Sequence, residues 1–194
     1  MKNKQRVFII HGWDGYPEEG WLPWLKAELE KRHFTVMVPA MPTPSRPIIG
    51  EWIPFISKLV GSPDKNTFFV GHSIGCQAII RYLQTLEPGT KIGGAVFVAG
   101  WYDLRNLETE EERLVVRPWL NEPRDDDKIK KAVGKAIAIF SDNDPYVISE
   151  NQKSWKEKVN AKIIVEHGKG HLGGGDGIIE LPSALEAILE IANG

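Results

Sequence analysis

The sequence predicts an α/β fold: a three-layer α/β/α sandwich around a mostly parallel six-stranded sheet. Three observations predict it. Short apolar, β-branched runs recur six times along the chain. Stretches with helical spacing separate them. The runs are continuous instead of alternating, as in strands covered on both faces. Strands joined through helices pair in parallel by right-handed crossovers, which puts helices on both sides of the sheet.

In chain order, the strand candidates are Val7–Ile10, Thr35–Val38, Thr67–Val70, Ala95–Val98, Ala136–Phe140 and Lys162–Val165. Between the first two, Trp21 to Lys31 places Leu22, Leu25 and Leu29 on one helical face. Trp52, Ile53, Ile56 and Leu59 form a second such face, and Pro54 predicts that this helix starts near Trp52. Ile74 to Leu86, Val147 to Val159 and Leu181 to Ala192 supply further helices, with Pro182 in a first turn that tolerates proline. The irregular connection runs from Trp101 to Lys135. It is charged, contains Pro118 and Pro123, and carries the acidic run Asp125-Asp126-Asp127. It is expected to be a small insertion of one or two short helices within a single domain spanning residues 1–194.

Composition narrows the function classes. A net charge of −2 gives no electrostatic ground for nucleic acid or an anionic membrane as partner. Cys76 is the only cysteine, so no intrachain disulfide can form, and no Cys/His cluster has zinc-site spacing. The basic N-terminus has an apolar run of Val7 to Ile10 only, too short for a signal-peptide core. These features predict a cytoplasmic protein with no metal or organic cofactor.

Ligands of open parallel sheets bind beyond the carboxyl ends of the strands. The residues just past each strand are therefore informative. The first strand leads into His11-Gly12-Trp13-Asp14-Gly15 and the third into Gly71-His72-Ser73-Ile74-Gly75. The fifth leads into Ser141-Asp142-Asn143-Asp144-Pro145, and the sixth into a glycine-rich stretch bearing His167 and His171. Serine, aspartate and histidine thus gather at one sheet edge, in the chain order Ser…Asp…His.

G-x-S-x-G between a strand and a helix is a nucleophile elbow, whose serine takes a strained backbone to raise its hydroxyl above the sheet. The bland reading of Ser73 is a helix N-cap. A serine hydroxyl needs a base, and the base needs an orienting acid. His171, set among glycines that let a loop fold back, is favoured as base over His167 at the strand end. Asp144, pushed towards extended backbone by Pro145, is favoured over Asp142, which can cap its own turn. An oxyanion would be met by the amide of Ile74 at the helix N-terminus and by that of Trp13 or Gly12.

Gly168-Lys169-Gly170-His171-Leu172-Gly173 formally matches the dinucleotide fingerprint. That fold requires a further strand with an acidic residue some 20 positions on. Only one helical stretch remains before Gly194. The glycines are better read as giving the His171 loop its freedom. Trp101 is the leading candidate to line a substrate pocket, beside Trp13 and Trp119, whereas Trp21 and Trp24 are expected in the core. Arg113, Arg117 and Arg124 are expected as solvated surface charges, Cys76 as a buried small side chain, and His72 as packed beneath the elbow.

In these motifs the sequence resembles an α/β-hydrolase, and more narrowly the small serine hydrolases grouped with retinoblastoma-binding protein nine and YdeN. VFIIHGWDG, FVGHSIG, SDNDPYV and GKGHLG carry the resemblance, in the family's order and across nearly the whole chain. It implies Ser73 as nucleophile, Asp144 as orienting acid and His171 as base, on a lean core with sheet order 2-1-3-4-5-6. The retinoblastoma-binding L-x-C-x-E motif is missing, since the chain reads IGCQA around Cys76. The expected activity is hydrolysis of a small or medium carboxylic ester. A thioesterase or small-amide peptidase would use the same three residues. A rival outside catalysis is a binding module whose partner surface is the insertion from Trp101 to Lys135.

Overall fold

A computed structural model of the chain describes residues 4–194. Six parallel strands form one sheet in the order β2-β1-β3-β4-β5-β6. They are β1 (Arg6–Ile10), β2 (Thr35–Met37), β3 (Thr67–His72), β4 (Gly94–Val98), β5 (Lys135–Ser141) and β6 (Lys162–Glu166). The strands run in register, with Ile10 beside Gly71, His72 beside Val98 and Ser141 beside Glu166. Their carboxyl ends therefore share one edge, and the loops bearing serine, aspartate and histidine meet there.

Alternate residues of each central strand enter opposite cores, which is why the runs are continuously apolar. Val7, Ile9, Phe68 and Val70 pack under α1 (Leu22–Glu30) and α7 (Pro182–Asn193). Phe8, Ile10, Phe69 and Phe97 pack under α2 (Ile49–Val60), α3 (Ile74–Thr85) and α6 (Glu150–Val159). The connection after β4 folds as α4 (Glu110–Asn121) and α5 (Asp126–Ala132), which add Val116, Trp119 and Ile129 to the second core.

Several elements depart from the sequence expectation. α2 begins at Ile49, and Pro54 lies within it. The proline removes a bond to the Gly50 carbonyl, but both residues are exposed, so water can replace the partner. α4 is no short helix: it runs for 12 residues through Pro118, whose unfilled acceptor belongs to exposed Leu114. α6 starts at Glu150, three residues later than its apolar spacing predicted. β6 is an edge strand and only partly covered: Ile163 and Ile164 pack half-buried against opposite cores, while Lys162 and Val165 are exposed.

α4 is tied at both ends. Thr109 and Glu112 form a reciprocal cap at its start, with the Glu112 amide 3.1 Å from Thr109 Oγ1 and the Thr109 amide 2.9 Å from Glu112 Oε2. At its finish the buried guanidinium of Arg81, on α3, donates to the carbonyls of Trp119 (2.8 Å) and Glu122 (3.2 Å). A cation there also complements the helix dipole. Burial lowers Arg81 to about 10, still charged at neutral pH. Gln77, one turn earlier on α3, donates to the carbonyl of Trp101 and accepts from Arg124 at 3.1 Å.

Candidate active site

β3 ends in the sharp turn at Ser73, whose backbone stands at φ 51° and ψ −118°. That positive φ is costly for a residue with a side chain, and close packing around it holds it. A Cβ on Gly75 would lie 2.3 Å from the carbonyl oxygen of Ile10, and one on Gly71 would lie 2.8 Å from the Cys76 amide nitrogen. Only glycines let β1 and α3 close on the turn in this way. The Ser73 amide donates to the Val98 carbonyl at 2.9 Å, fixing the turn to β4. Its hydroxyl makes no capping bond to α3 and is left for other work.

Ser73 Oγ lies 2.9 Å from His171 Nε2, and His171 Nδ1 lies 2.8 Å from Asp144 Oδ2. The structure thus brings the three favoured residues into one hydrogen-bonded line. Asp144 is 3% exposed, and its second oxygen accepts the amides of Tyr146 (2.8 Å) and Val147 (3.0 Å). Its carboxylate is therefore satisfied on both oxygens, with one aimed at the imidazole. Tyr146 also packs edge-on against the His171 ring, centroids 5.3 Å apart. The Asp144 loop is anchored from outside, where Arg105 and Asn106 donate to the carbonyls of Asp144 and Pro145.

Asp142 and His167 are brought to each other and not to Ser73. The His167 side chain is exposed and lies 2.6 Å from Asp142 Oδ2.

The glycine-rich loop is gripped through its backbone. The amides of Gly168, Lys169 and Gly170 donate in turn to Asp142 Oδ1 (2.8 Å), Ser141 Oγ (3.0 Å) and Asn143 Oδ1 (2.8 Å). The N–H groups that a dinucleotide phosphate would occupy in a G-x-G-x-x-G cradle are thus taken by side chains at the end of β5 and in the loop that follows it. At Gly170 the backbone stands at φ +57°, and a Cβ would come 2.1 Å from Asp176 Oδ1.

Two buried histidines flank the line. His11 accepts the Met41 amide at Nε2 (3.0 Å), which places its proton on Nδ1, and Nδ1 donates to the Gly12 carbonyl at 2.8 Å. The trans peptide then directs the Trp13 amide to the opposite side. Ile74 is the first residue of α3, where an amide has no intrahelical acceptor. Burial lowers the pKa of His11, keeping it neutral. His72 does not simply pack beneath the elbow, as the sequence suggested. Its Nε2 donates to the carbonyl of His171 at 2.9 Å, and burial, reinforced by His171, lowers it to about 4.

These residues border a cleft of about 660 Å³. Trp13, Trp101, Leu104, Leu107, Val116 and Tyr146 are its apolar lining. Asp14, Glu19, Glu112 and Asp176 are its acidic lining, and burial raises the Glu19 carboxyl. Trp21 and Trp119 are core residues instead: their indole N–H groups donate to the carbonyls of Leu172 (2.7 Å) and Pro47 (3.0 Å). Trp24 is half-buried against the α1/α7 core. Arg113, Arg117 and Arg124 do not line the cleft. Arg113 bonds locally to the Leu107 carbonyl, and Arg124 lies over the Tyr102 ring. Cys76 is buried and its thiol is pushed well up by desolvation, so it stays protonated. Among the described residues, no group of His, Cys, Asp and Glu is placed to hold a metal ion, and no helix is long and apolar enough to cross a membrane.

Sheet order, elbow and strand-end loops define an α/β-hydrolase. The chain belongs to the serine hydrolase family, whose profile matches residues 7–190, and it is an enzyme of that class. It is similar to YdeN of Bacillus subtilis (strain 168), at 28% identity over 95% of this chain and 94% of that one. The crystal structure of the ydeN gene product superposes with a TM-score of 0.89, at 25% identity, covering 98% of this chain and all of the other. The rat serine hydrolase RBBP9 is 27% identical over 88% of this chain and 89% of its own. Est1E from Butyrivibrio proteoclasticus shares the fold, with a TM-score of 0.74 at 16% identity over all of this chain and 90% of that one.

Proposed function

We propose that the enzyme cleaves small or medium carboxylic esters through an acyl-enzyme on Ser73. The observation that carries this reading is the unbroken line from Ser73 Oγ through His171 to buried Asp144, at 2.9 and 2.8 Å. Ser73 attacks the ester carbonyl while His171 Nε2 takes its proton. Asp144 holds the Nδ1–H tautomer and stabilises the imidazolium. The oxyanion forms against the backbone amides of Ile74, at the start of α3, and Trp13, in the loop after β1. His171 then protonates the departing alcohol. Water, activated by the same base, attacks the acyl carbonyl, and collapse returns the proton to Ser73.

The acyl group lies against the apolar lining of the cleft, with Trp101 as its main wall. Trp101 is 1% exposed, lies three residues past the end of β4, and is held through its carbonyl by Gln77. Such a volume suits a small-molecule ester. No metal or organic cofactor enters the scheme.

The test is intact mass after exposure to a fluorophosphonate, with Ser73→Ala in parallel. A single adduct on the wild type that is absent from the variant is expected, followed by turnover of p-nitrophenyl esters. A folded wild type that takes no adduct overturns the reading.

A further inference from the structure

The base sits on a loop with glycine at positions 168, 170, 173, 174, 175 and 177, yet its Nε2 must stay within reach of one hydroxyl. Asn143, Ser141 and Asp142 hold that loop only up to the Gly170 amide. Beyond it come His171 and then Leu172, a non-glycine residue at φ 57° that is fully buried. Something must hold these two residues in place.

Their carbonyls are held by two ring N–H donors from other parts of the chain. His72 Nε2 donates to the His171 carbonyl at 2.9 Å, and Trp21 Nε1 donates to the Leu172 carbonyl at 2.7 Å. The donor rings meet edge to face, with centroids 6.1 Å apart and planes at 87°. Each therefore fixes the other's orientation. His72 also lies against the His171 ring, centroids 5.3 Å apart. A donor at the residue next to the nucleophile, acting on the backbone of the base, links the two catalytic loops directly.

We propose that His72 is a positioning residue, which together with Trp21 clamps the backbone at His171 and Leu172 so that the imidazole keeps its distance from Ser73 through the catalytic cycle. The proposal rests on the reading of His171 as the base. Its chemistry asks for a neutral donor. A second positive charge at His72 would oppose the imidazolium that forms on His171 during each step. A buried imidazole with one N–H bound to a carbonyl supplies a bond without a charge.

The test compares His72→Phe, which keeps a ring without the N–H, with His72→Gln, whose amide nitrogen can reach the position of Nε2. Trp21→Phe removes the other donor. Each is read by kcat and KM on a p-nitrophenyl ester, by the rate of fluorophosphonate labelling, and by melting temperature. Displacing a reacting group by about 1 Å costs on the order of 100-fold. His72→Phe is therefore expected to lose about 30- to 100-fold in kcat and in labelling rate, with KM within about threefold. His72→Gln is expected to recover most of that loss. Trp21→Phe should slow both rates about tenfold, and the double variant should lose less than the product of the single losses. Rates within twofold of wild type in His72→Phe overturn the proposal, as does a Gln variant no better than the Phe variant. If His72→Phe does not fold, a folded Trp21→Phe with unchanged rates overturns it. Labelling that persists in Ser73→Ala would instead sink the site assignment, an outcome separate from failure of the clamp.

Discussion

Asp142 and His167 form a closed pair on the protein surface, with His167 Nδ1 2.6 Å from Asp142 Oδ2. The second carboxylate oxygen accepts the Gly168 amide, and that bond, followed by His167, holds Asp142 below the ordinary carboxylate range. The pair repeats the Asp144–His171 contact at the surface, while the Ser73 hydroxyl is bonded to His171. It therefore separates residue type from placement. Asp144→Asn is expected to lower kcat by about 10³–10⁴ with the fold intact, because the amide favours the wrong imidazole tautomer. His167→Ala should leave kcat/KM within about threefold. Steady-state kinetics on the purified variants, with circular dichroism as a folding control, checks both.

Stability should fall on the acid side through His72. Its folded pKa is depressed to about 4 from an ordinary value of 6.5, so between these values the unfolded chain binds a proton that the folded chain refuses. Stability from this source is complete above 6.5 and is lost progressively as pH falls towards 4, about 3 kcal/mol in total. His11, depressed in the same direction, adds to the slope. Urea unfolding at pH 7 and pH 4.5 measures the loss. His72→Gln should flatten the dependence, and an unchanged slope in that variant would assign the acid sensitivity to other groups.

Gly75→Ala should damage both fold and site. The added methyl would meet the Ile10 carbonyl at 2.3 Å and the His11 carbonyl at 2.7 Å, and backbone cannot move aside as a side chain can. A loss of about 3 kcal/mol in unfolding free energy is expected, with fluorophosphonate labelling slowed at least tenfold.

The cleft carries Asp14, Glu19, Glu112 and Asp176, and no lysine or arginine is among its lining residues. Esters bearing a carboxylate should therefore be poorer substrates than neutral esters of equal length, by about fivefold or more at low ionic strength. Added salt should narrow the gap as screening shortens the reach of these charges. Paired measurements of kcat/KM at low and high salt decide it.

Much of this was legible in the sequence, because buried parallel strands carry a strong pattern and their carboxyl ends are easy to mark. The convergence of the loops bearing Ser73, Asp144 and His171 comes from that, whereas the strand order came from the resemblance, since an apolar run does not say which strand it lies beside. Pro54 misled the start of α2 because a proline breaks a helix only where the freed carbonyl lacks another partner, and exposure of Gly50 is invisible in a linear pattern. The roles of His11, His72 and Trp21 were missed for a related reason. Each acts on the backbone of a segment distant in sequence: Met41 lies 30 residues from His11, His171 lies 99 from His72, and Leu172 lies 151 from Trp21. The signal that could have found His11 and His72 is a histidine beside each of two glycine turns, in HGWDG and GHSIG, whereas nothing around Trp21 marks it in the sequence. A polar ring at a buried strand end needs partners for both nitrogens, and that need points to the neighbouring loops.

The grip on the loop between β6 and His171 is made on main-chain N–H groups, which every residue but proline possesses. The side chain of Lys169 takes no part in holding it, and that of His167 meets only exposed Asp142. These two positions can vary in the loop that leads to His171 while the main-chain grip on that loop stays as it is. For evolution or for a laboratory library, they offer a place to change surface charge and solubility without moving the loop they sit on.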